Sequence, residues 1–377
     1  MNNTTDALLG RVASTGYHNP LDPTPFYPTL GERVPIGYVH RTLPFVVSIA
    51  AHYMGHGTLS TAVAGSLLVL FMLQRPFYTT GGNFGDYAYT ALDLWLITRL
   101  VDFYFNPPRY LGGPDSPLRK TGGVHAKDLK SWKERLVWAL RLQFTPRGVG
   151  WDWEVKGIVE NNDAKLSRSS FVAKRAVCFV YHLLMQDFAI YMLEIFWTIQ
   201  PSITSPLASL AVKIGIAWGG GMTLYQGFGV WDNGVSALTV LIGLCQPWEW
   251  PPILGTLESA WSVRQWWGES YHQMLRRTFQ TPGLRVLSFL GLKKGTLASR
   301  YLQLYIAFAL SSVLHLWGRF SFERKESGEI RFFMSQAVLI TIEDTIQWLW
   351  ARMVGPVQNR SRGLRIFELY TSSTKYI

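Results

Sequence analysis

The chain has 377 residues, 48% hydrophobic, 14% aromatic and only 16% charged, with a net charge of +11. That charge fraction is well below the roughly 25% of an average soluble domain, and the apolar content excludes a disordered chain. Two cysteines, Cys178 and Cys245, both in apolar segments, exclude a disulfide framework. A mean hydropathy of +0.09 suits a membrane bundle with sizeable polar loops. Sixteen tryptophans and seventeen tyrosines suit two membrane interfaces, where amphipathic rings settle at headgroup level. The positive charge would also suit nucleic acid. The cations, however, lie in loops between apolar runs, so cytosolic positive-inside loops explain them and no nucleic-acid partner is expected.

Residues 1–42 read as a polar, proline-rich lead-in without a charged n-region and apolar core of the signal-peptide kind. Asn2 and Asn3 start overlapping glycosylation sequons, which count only on a lumenal terminus. The apolar region from Leu43 to Leu73 is too long for one span, and Gly55-His56-Gly57 interrupts it. It predicts a short interfacial or re-entrant piece to Met54, then a span over 58–73. His52 and His56 have i, i+4 spacing, but no third ligand is evident and no metal site is expected. The next span, 87–105, contains Asp93, Arg99 and Asp102, expected to face the interior and pair with one another.

Residues 106–175 hold fourteen Lys or Arg against seven Asp or Glu and read as a cytosolic loop. Within it, 132–144 has helical periodicity with cations on one face, as for a helix lying on an anionic leaflet. The glycine-punctuated run Thr145 to Gly157 follows; its Trp151 and Trp153 fit an interfacial anchor or a ligand contact equally well. Spans at 176–199 and 207–230 come next. His182 reads as a structural histidine, and the glycines of 218–221 and 227–229 permit close helix packing. Residues 233–245 are too short to span and read as re-entrant.

A second cytosolic loop, 246–300, carries seven cations against three acids and a dense aromatic cluster. Arg264, Arg276 and Arg277 can grip phosphate with a planar fork, and Trp266, Trp267 and Tyr271 can stack on a purine. The competing reading is a solvated basic loop with interfacial tryptophans. The adjacent apolar segment, 302–317, holds His315 with Ser311 one turn before it, which favours a ligand site. The last span, 330–354, contains Glu343 and Asp344, interior by expectation. Arg319 to Arg331 would then be lumenal although it carries four cations, against the positive-inside pattern; 355–377 is a polar basic tail. These readings together predict one membrane-embedded domain over 1–377. It is an all-α polytopic bundle of about seven to nine helices, with re-entrant segments and cytosolic loops.

Three stretches carry a family resemblance. Arg147-Gly-Val-Gly-Trp-Asp-Trp-Glu-Val-Lys156, Arg264-Gln-Trp-Trp-Gly-Glu-Ser-Tyr-His-Gln273 and Leu310-Ser-Ser-Val-Leu-His315 occur in this order. The chain resembles the membrane-bound O-acyltransferases, in their wax-synthase-like branch of fungal terpenoid and meroterpenoid O-acetyltransferases. The match departs from that branch at Tyr271, where Trp is common, at His272, where Asn is usual, and at Ser312, where Gly is frequent. The resemblance implies a multi-pass protein of the endoplasmic reticulum with His315 as the catalytic histidine. Acetyl-CoA would be the co-substrate, and the acceptor a lipophilic small-molecule alcohol presented from the membrane lipid.

A neutral imidazole at His315 would take the acceptor's proton, and His272 or Trp267 would donate to the oxyanion. Arg264, Arg276 and Arg277 would bind CoA phosphates. Ser311, Ser312, Trp151 and Trp153 would line the substrate pocket. Two rivals stay open. One is a long-chain wax or sterol-ester synthase. The other is a transporter using the intramembrane His, Asp and Glu residues as a proton relay.

Overall fold

Gly55 and Gly57 decide where the first apolar stretch breaks. In the computed structural model, which describes residues 26–55, 57–105, 129–151, 153–155, 157–255 and 260–354, helix α1 (Tyr38–Met54) stops where Gly55 takes a φ of 77°. That backbone state is open to glycine at no steric cost. Helix α2 (Thr58–Gln74) starts after Gly57 and ends at the turn through Arg75–Phe77. The asparagine sequons, His56 and the basic tail lie outside the described residues.

The remaining helices are α3 (Asn83–Phe105), α4 (Trp132–Gln143), α5 (Arg168–Ile199), α6 (Pro206–Leu241), α7 (Arg276–Phe289), α8 (Leu297–Glu323) and α9 (Glu329–Val354). Among the described residues the only sheet is a two-residue parallel bridge, Val34–Pro35 against Tyr78–Thr79. The predicted all-helical class is therefore what forms. Among the described residues four helices are long and apolar enough to cross a membrane: α2, α5, α6 and α8. Helices α3 and α9 are not among them. Asp86, Asp93, Arg99 and Asp102 in α3, and Glu329, Arg331, Glu343, Asp344 and Arg352 in α9, lower their hydropathy.

Helices α3 and α8 pack together at the centre, with α1 and α2 against α3, and α7 and α9 against α8. Leu68, Trp95, Leu96 and Leu100 close the α1–α3 layer with Ala51 and Ala64. Expected pairing within α3 is replaced by partners from other elements. Asp93 pairs with Arg75, Asp102 accepts from Arg277 Nε at 2.6 Å, and Arg99 donates to the carbonyls of Leu142 and Thr145. Longer reach across the bundle lets each ion find a partner facing it, which positions along one helix do not provide.

Helix α4 does not lie apart as a flat surface helix. A capping box starts it: Ser131 Oγ accepts from Glu134 N at 3.2 Å, and Glu134 Oε2 accepts from Ser131 N at 3.1 Å. Its Trp138, Ala139, Leu142 and Gln143 are then buried, and α4 packs on α1. Gln143 Oε1 accepts from Ser48 Oγ at 2.6 Å and lies 2.9 Å from His52 Nε2.

Residues 233–241 are not re-entrant: they are the last turns of α6, a single 36-residue helix. Gly215, Gly219, Gly227, Gly229 and Gly234 of this helix face α5. A Cβ at Gly215 would lie 2.8 Å from the Phe196 ring, one at Gly229 2.4 Å from His182, and one at Gly234 3.1 Å from Phe179. This small-residue face lets the two long helices approach closely. Trp197, Leu207, Ile214 and Trp218 stay exposed on the pair, as lipid-facing positions do. The predicted loop 246–300 also differs. Much of it is helical, in α7 and in the hook that precedes it.

Candidate active site

Ser262 begins the hook, its Oγ accepting from Gln265 N at 3.0 Å. One turn, Val263–Gln265, runs into an i→i+5 turn over Trp266–Ser270, closed by Tyr271 N donating to Trp266 O at 2.8 Å. Turns of this wide kind are uncommon and recur at functional sites. Helix α9 fixes the hook. Glu343 accepts from the backbone N–H groups of Val263 and Arg264 at 3.3 and 3.1 Å, where helix N-termini favour an anion. Gly255 sits under it: its N donates to Ser270 O at 3.0 Å, and a Cβ there would meet Glu269 O at 2.5 Å.

The hook delivers Tyr271 and His272 to the middle of the bundle. His272 packs on Phe228 of α6, ring centroids 4.2 Å apart, and its buried Nδ1 has no hydrogen-bond partner among the described residues. Burial, with the nearby His315 adding to it, holds the His272 imidazole well below its ordinary pKa, so it is neutral. Burial likewise pushes the Tyr271 phenol up, to about 12.

His315 comes from α8. Its Nδ1 meets the Tyr87 hydroxyl from α3, and its ring stacks on Phe333 of α9 at 4.2 Å and 26°. Tyr87 is within electrostatic range of Tyr271 as well, so two imidazoles and two phenols converge from α3, α8 and the hook. Both histidines lie deep among protein atoms and yet keep accessible surface. Ser312 Oγ turns back to Phe308 O at 2.8 Å, whereas the buried Ser311, one turn before His315, makes no hydrogen bond among the described residues.

Other sequence-predicted residues are already occupied. Trp267 Nε1 donates to Gln336 Oε1 at 3.2 Å, and its ring packs between Phe308 and Phe333, so its N–H is committed within the fold. Trp266 stacks on Tyr271 at 5.3 Å and 24°, which uses one face of each ring. Arg264 forks onto Asp344, Nε to Oδ1 at 2.9 Å, and Tyr301 shares that carboxylate at 3.0 Å. Arg277 pairs with Asp102 and lies 4.7 Å over the Trp153 ring. Arg276 differs: it donates to Gln273 Oε1 at 3.0 Å and makes no salt bridge among the described residues, while burial opposes its charge. Trp151 and Trp153 are not brought to the imidazoles. They join Phe103, Trp138, Ala139 and Leu142 in a separate core cluster, 2% and 4% exposed. That closed packing ties the glycine-punctuated loop to α4.

A sequence profile of the membrane bound O-acyl transferase family matches residues 250–335, the segment that contains the hook, α7 and His315. Acetyltransferase ple2 of Rhodocybe pseudopiperita is 35% identical over 294 residues, 76% of this chain and 75% of that protein. The chain belongs to the membrane bound O-acyl transferase family. O-Mevalon transferase macI of Penicillium terrestre is 29% identical over 82% of this chain and 76% of its own length. Acetyltransferase eriL of Hericium erinaceus is 29% identical over 62% and 63%. No solved structure matches. As a member of this family the chain is an acyltransferase of the membrane, and its four apolar helices agree with that setting.

Sequence reasoning missed Tyr87, Phe228 and Phe333. Tyr87 stands 228 residues from His315, and no local pattern marks it. Each becomes visible only when α3, α6 and α9 close on the hook and α8.

Proposed function

We propose that the protein transfers an acetyl group from acetyl-CoA to a hydroxyl of a lipophilic terpenoid or meroterpenoid alcohol in the endoplasmic reticulum membrane. One observation carries the reading: His315 and His272 come within electrostatic range of each other, and His272 keeps a buried nitrogen without a partner among the described residues. A buried polar atom left unpaired is costly, so such an atom beside a second imidazole is a candidate ligand donor.

The neutral His315 imidazole accepts the acceptor's hydroxyl proton through Nε2 as the oxygen attacks the thioester carbon. General-base help of this kind contributes about 10²–10⁴-fold. His272 Nδ1–H donates to the developing oxyanion, preorganised and without a charge of its own. Collapse of the tetrahedral intermediate breaks the C–S bond; the proton on His315 passes to the CoA thiolate, and the ester leaves. No acyl-enzyme is needed, because holding both substrates in register supplies much of the rate. Arg276 is the cation best placed for a CoA phosphate, since no carboxylate forks onto it among the described residues and Glu269 acts on it only through space; Ser311 borders the acceptor side.

The test is turnover by the purified full chain in nanodiscs, with radiolabelled acetyl-CoA and a panel of terpenoid alcohols, read as labelled ester and free CoA thiol. Acetyl ester formed by the wild type and lost in His315→Ala supports the reading. Transfer from palmitoyl-CoA in preference to acetyl-CoA would make it a long-chain ester synthase. Absence of labelled ester from every alcohol, with the wild type folded and acetyl-CoA hydrolysis excluded, would overturn the acetyl-transfer reading.

A further inference from the structure

We propose that Tyr87 is a positioning residue for His315, its phenol oxygen accepting from Nδ1–H and so reserving Nε2 as the basic nitrogen. The inference rests on His315 being the base of the proposed reaction. A neutral imidazole carries one N–H, and the partner of one nitrogen decides which tautomer is present. With Nδ1–H donated to Tyr87, the lone pair lies on Nε2, on the far edge of the ring. Were the phenol to donate instead, Nε2 would carry the proton and could not accept one.

Three features make the contact a built one. First, Gly318, one turn after His315, leaves room for the Tyr87 ring: a Cβ there would lie 2.7 Å from ring atom Cε2. Second, the imidazole is held from the opposite helix by its stack on Phe333, and Phe322 meets the Tyr87 ring edge-on at 6.5 Å. Third, the backbone that carries Tyr87 is anchored by the residue before it. The Asp86 carboxylate accepts from Arg33 Nη1 at 2.5 Å, Thr79 Oγ1 at 2.9 Å and Thr80 N at 2.5 Å. A side chain on a fixed first helical turn can hold a second side chain within the narrow tolerance that proton transfer needs.

The experiment uses ¹⁵N-histidine-labelled full chain in nanodiscs, with the His315 resonance assigned by its loss in His315→Ala. Wild type is expected to show Nδ1 protonated and Nε2 bare; Tyr87→Phe, which keeps the ring against Gly318, is expected to shift His315 toward the Nε2–H form. In acetyl transfer, Tyr87→Phe should lower kcat about tenfold or more, within the about 10²–10⁴-fold of general-base help, with KM for acetyl-CoA within twofold. Gly318→Ala, which pushes the Tyr87 ring away, should move both readouts the same way and serves if Tyr87→Phe does not fold. Wild-type kcat with an unchanged tautomer in Tyr87→Phe, while His315→Ala is inactive, overturns the role of Tyr87 alone. Wild-type turnover in His315→Ala overturns the base assignment and this inference with it.

Discussion

The α5–α6 pair holds His182 by its Nδ1, 2.6 Å from Gln226 Oε1, and the α3–α8 pair holds His315 by its Nδ1 against Tyr87. In both, a glycine one helix away makes the room, Gly229 beneath His182 and Gly318 beneath Tyr87. What differs is the surroundings. His182 sits between two regular helices with its bond satisfied, in a pair whose outer surface is lipid-like. His315 faces a hook of irregular backbone that brings a second imidazole, one of whose nitrogens has no partner among the described residues. A hydrogen-bonded histidine in an apolar helix is therefore not itself a site. On the proposed function, it becomes one where a neighbouring element brings an unpaired polar atom near it.

The largest expected effect would break the comparison directly. His315→Ala should lower turnover by about 10²–10⁴-fold, and His182→Ala should stay within a few-fold, both measured as acetyl ester formed by folded protein. Equal loss in the two variants would place chemistry in the α5–α6 pair. A second contrast separates the arginines. Arg276→Gln should raise KM for acetyl-CoA about tenfold with kcat little changed. Arg264→Gln should instead lower thermal stability, because Asp344 loses its fork.

Glycines sharpen the comparison further. Gly255→Ala forces the new Cβ against the Glu269 carbonyl and should destabilise by about 1–3 kcal/mol, with activity falling as the hook shifts. Gly220→Ala in α6 meets nothing within 4 Å and should leave stability unchanged or raise it by about 0.4–1 kcal/mol. Thermal denaturation of both variants in detergent checks this.

The last contrast is one of pH. His272 has a depressed pKa when folded and an ordinary one, about 6.5, when unfolded. Above that value both states are neutral and nothing depends on pH. Below it the unfolded chain takes up the proton that the folded site refuses, so stability falls as pH drops. His272→Asn should flatten the decline of thermal stability between about pH 6.5 and 4.5.

Much of the helical plan was legible. The break at Gly55–Gly57, the long apolar helices and the placement of Ser311 and His315 on one helix follow from periodicity and glycine chemistry, which act over a turn or two. The loop 246–300 was not legible as a folded element. Its charges and tryptophans suit solvent as well as they suit a hook, and only α9 supplies the Glu343 and Asp344 that hold it. Composition likewise could not separate Arg276 from Arg264 and Arg277. All three read as phosphate ligands until Asp344 and Asp102, far along the chain, claim two of them.

The sequence by itself determined an apolar helical chain, the histidine within it and the cation-rich segment beside it, because hydrophobic period and backbone freedom are local properties. The tertiary structure decided that His315 meets Tyr87 and comes within electrostatic range of His272, that Trp151 and Trp153 belong to the core, and that Arg276 has no salt bridge among the described residues. Those outcomes depend on which side chains face one another after packing, and a carboxylate, a phenol or a carbonyl can be supplied from any part of the chain.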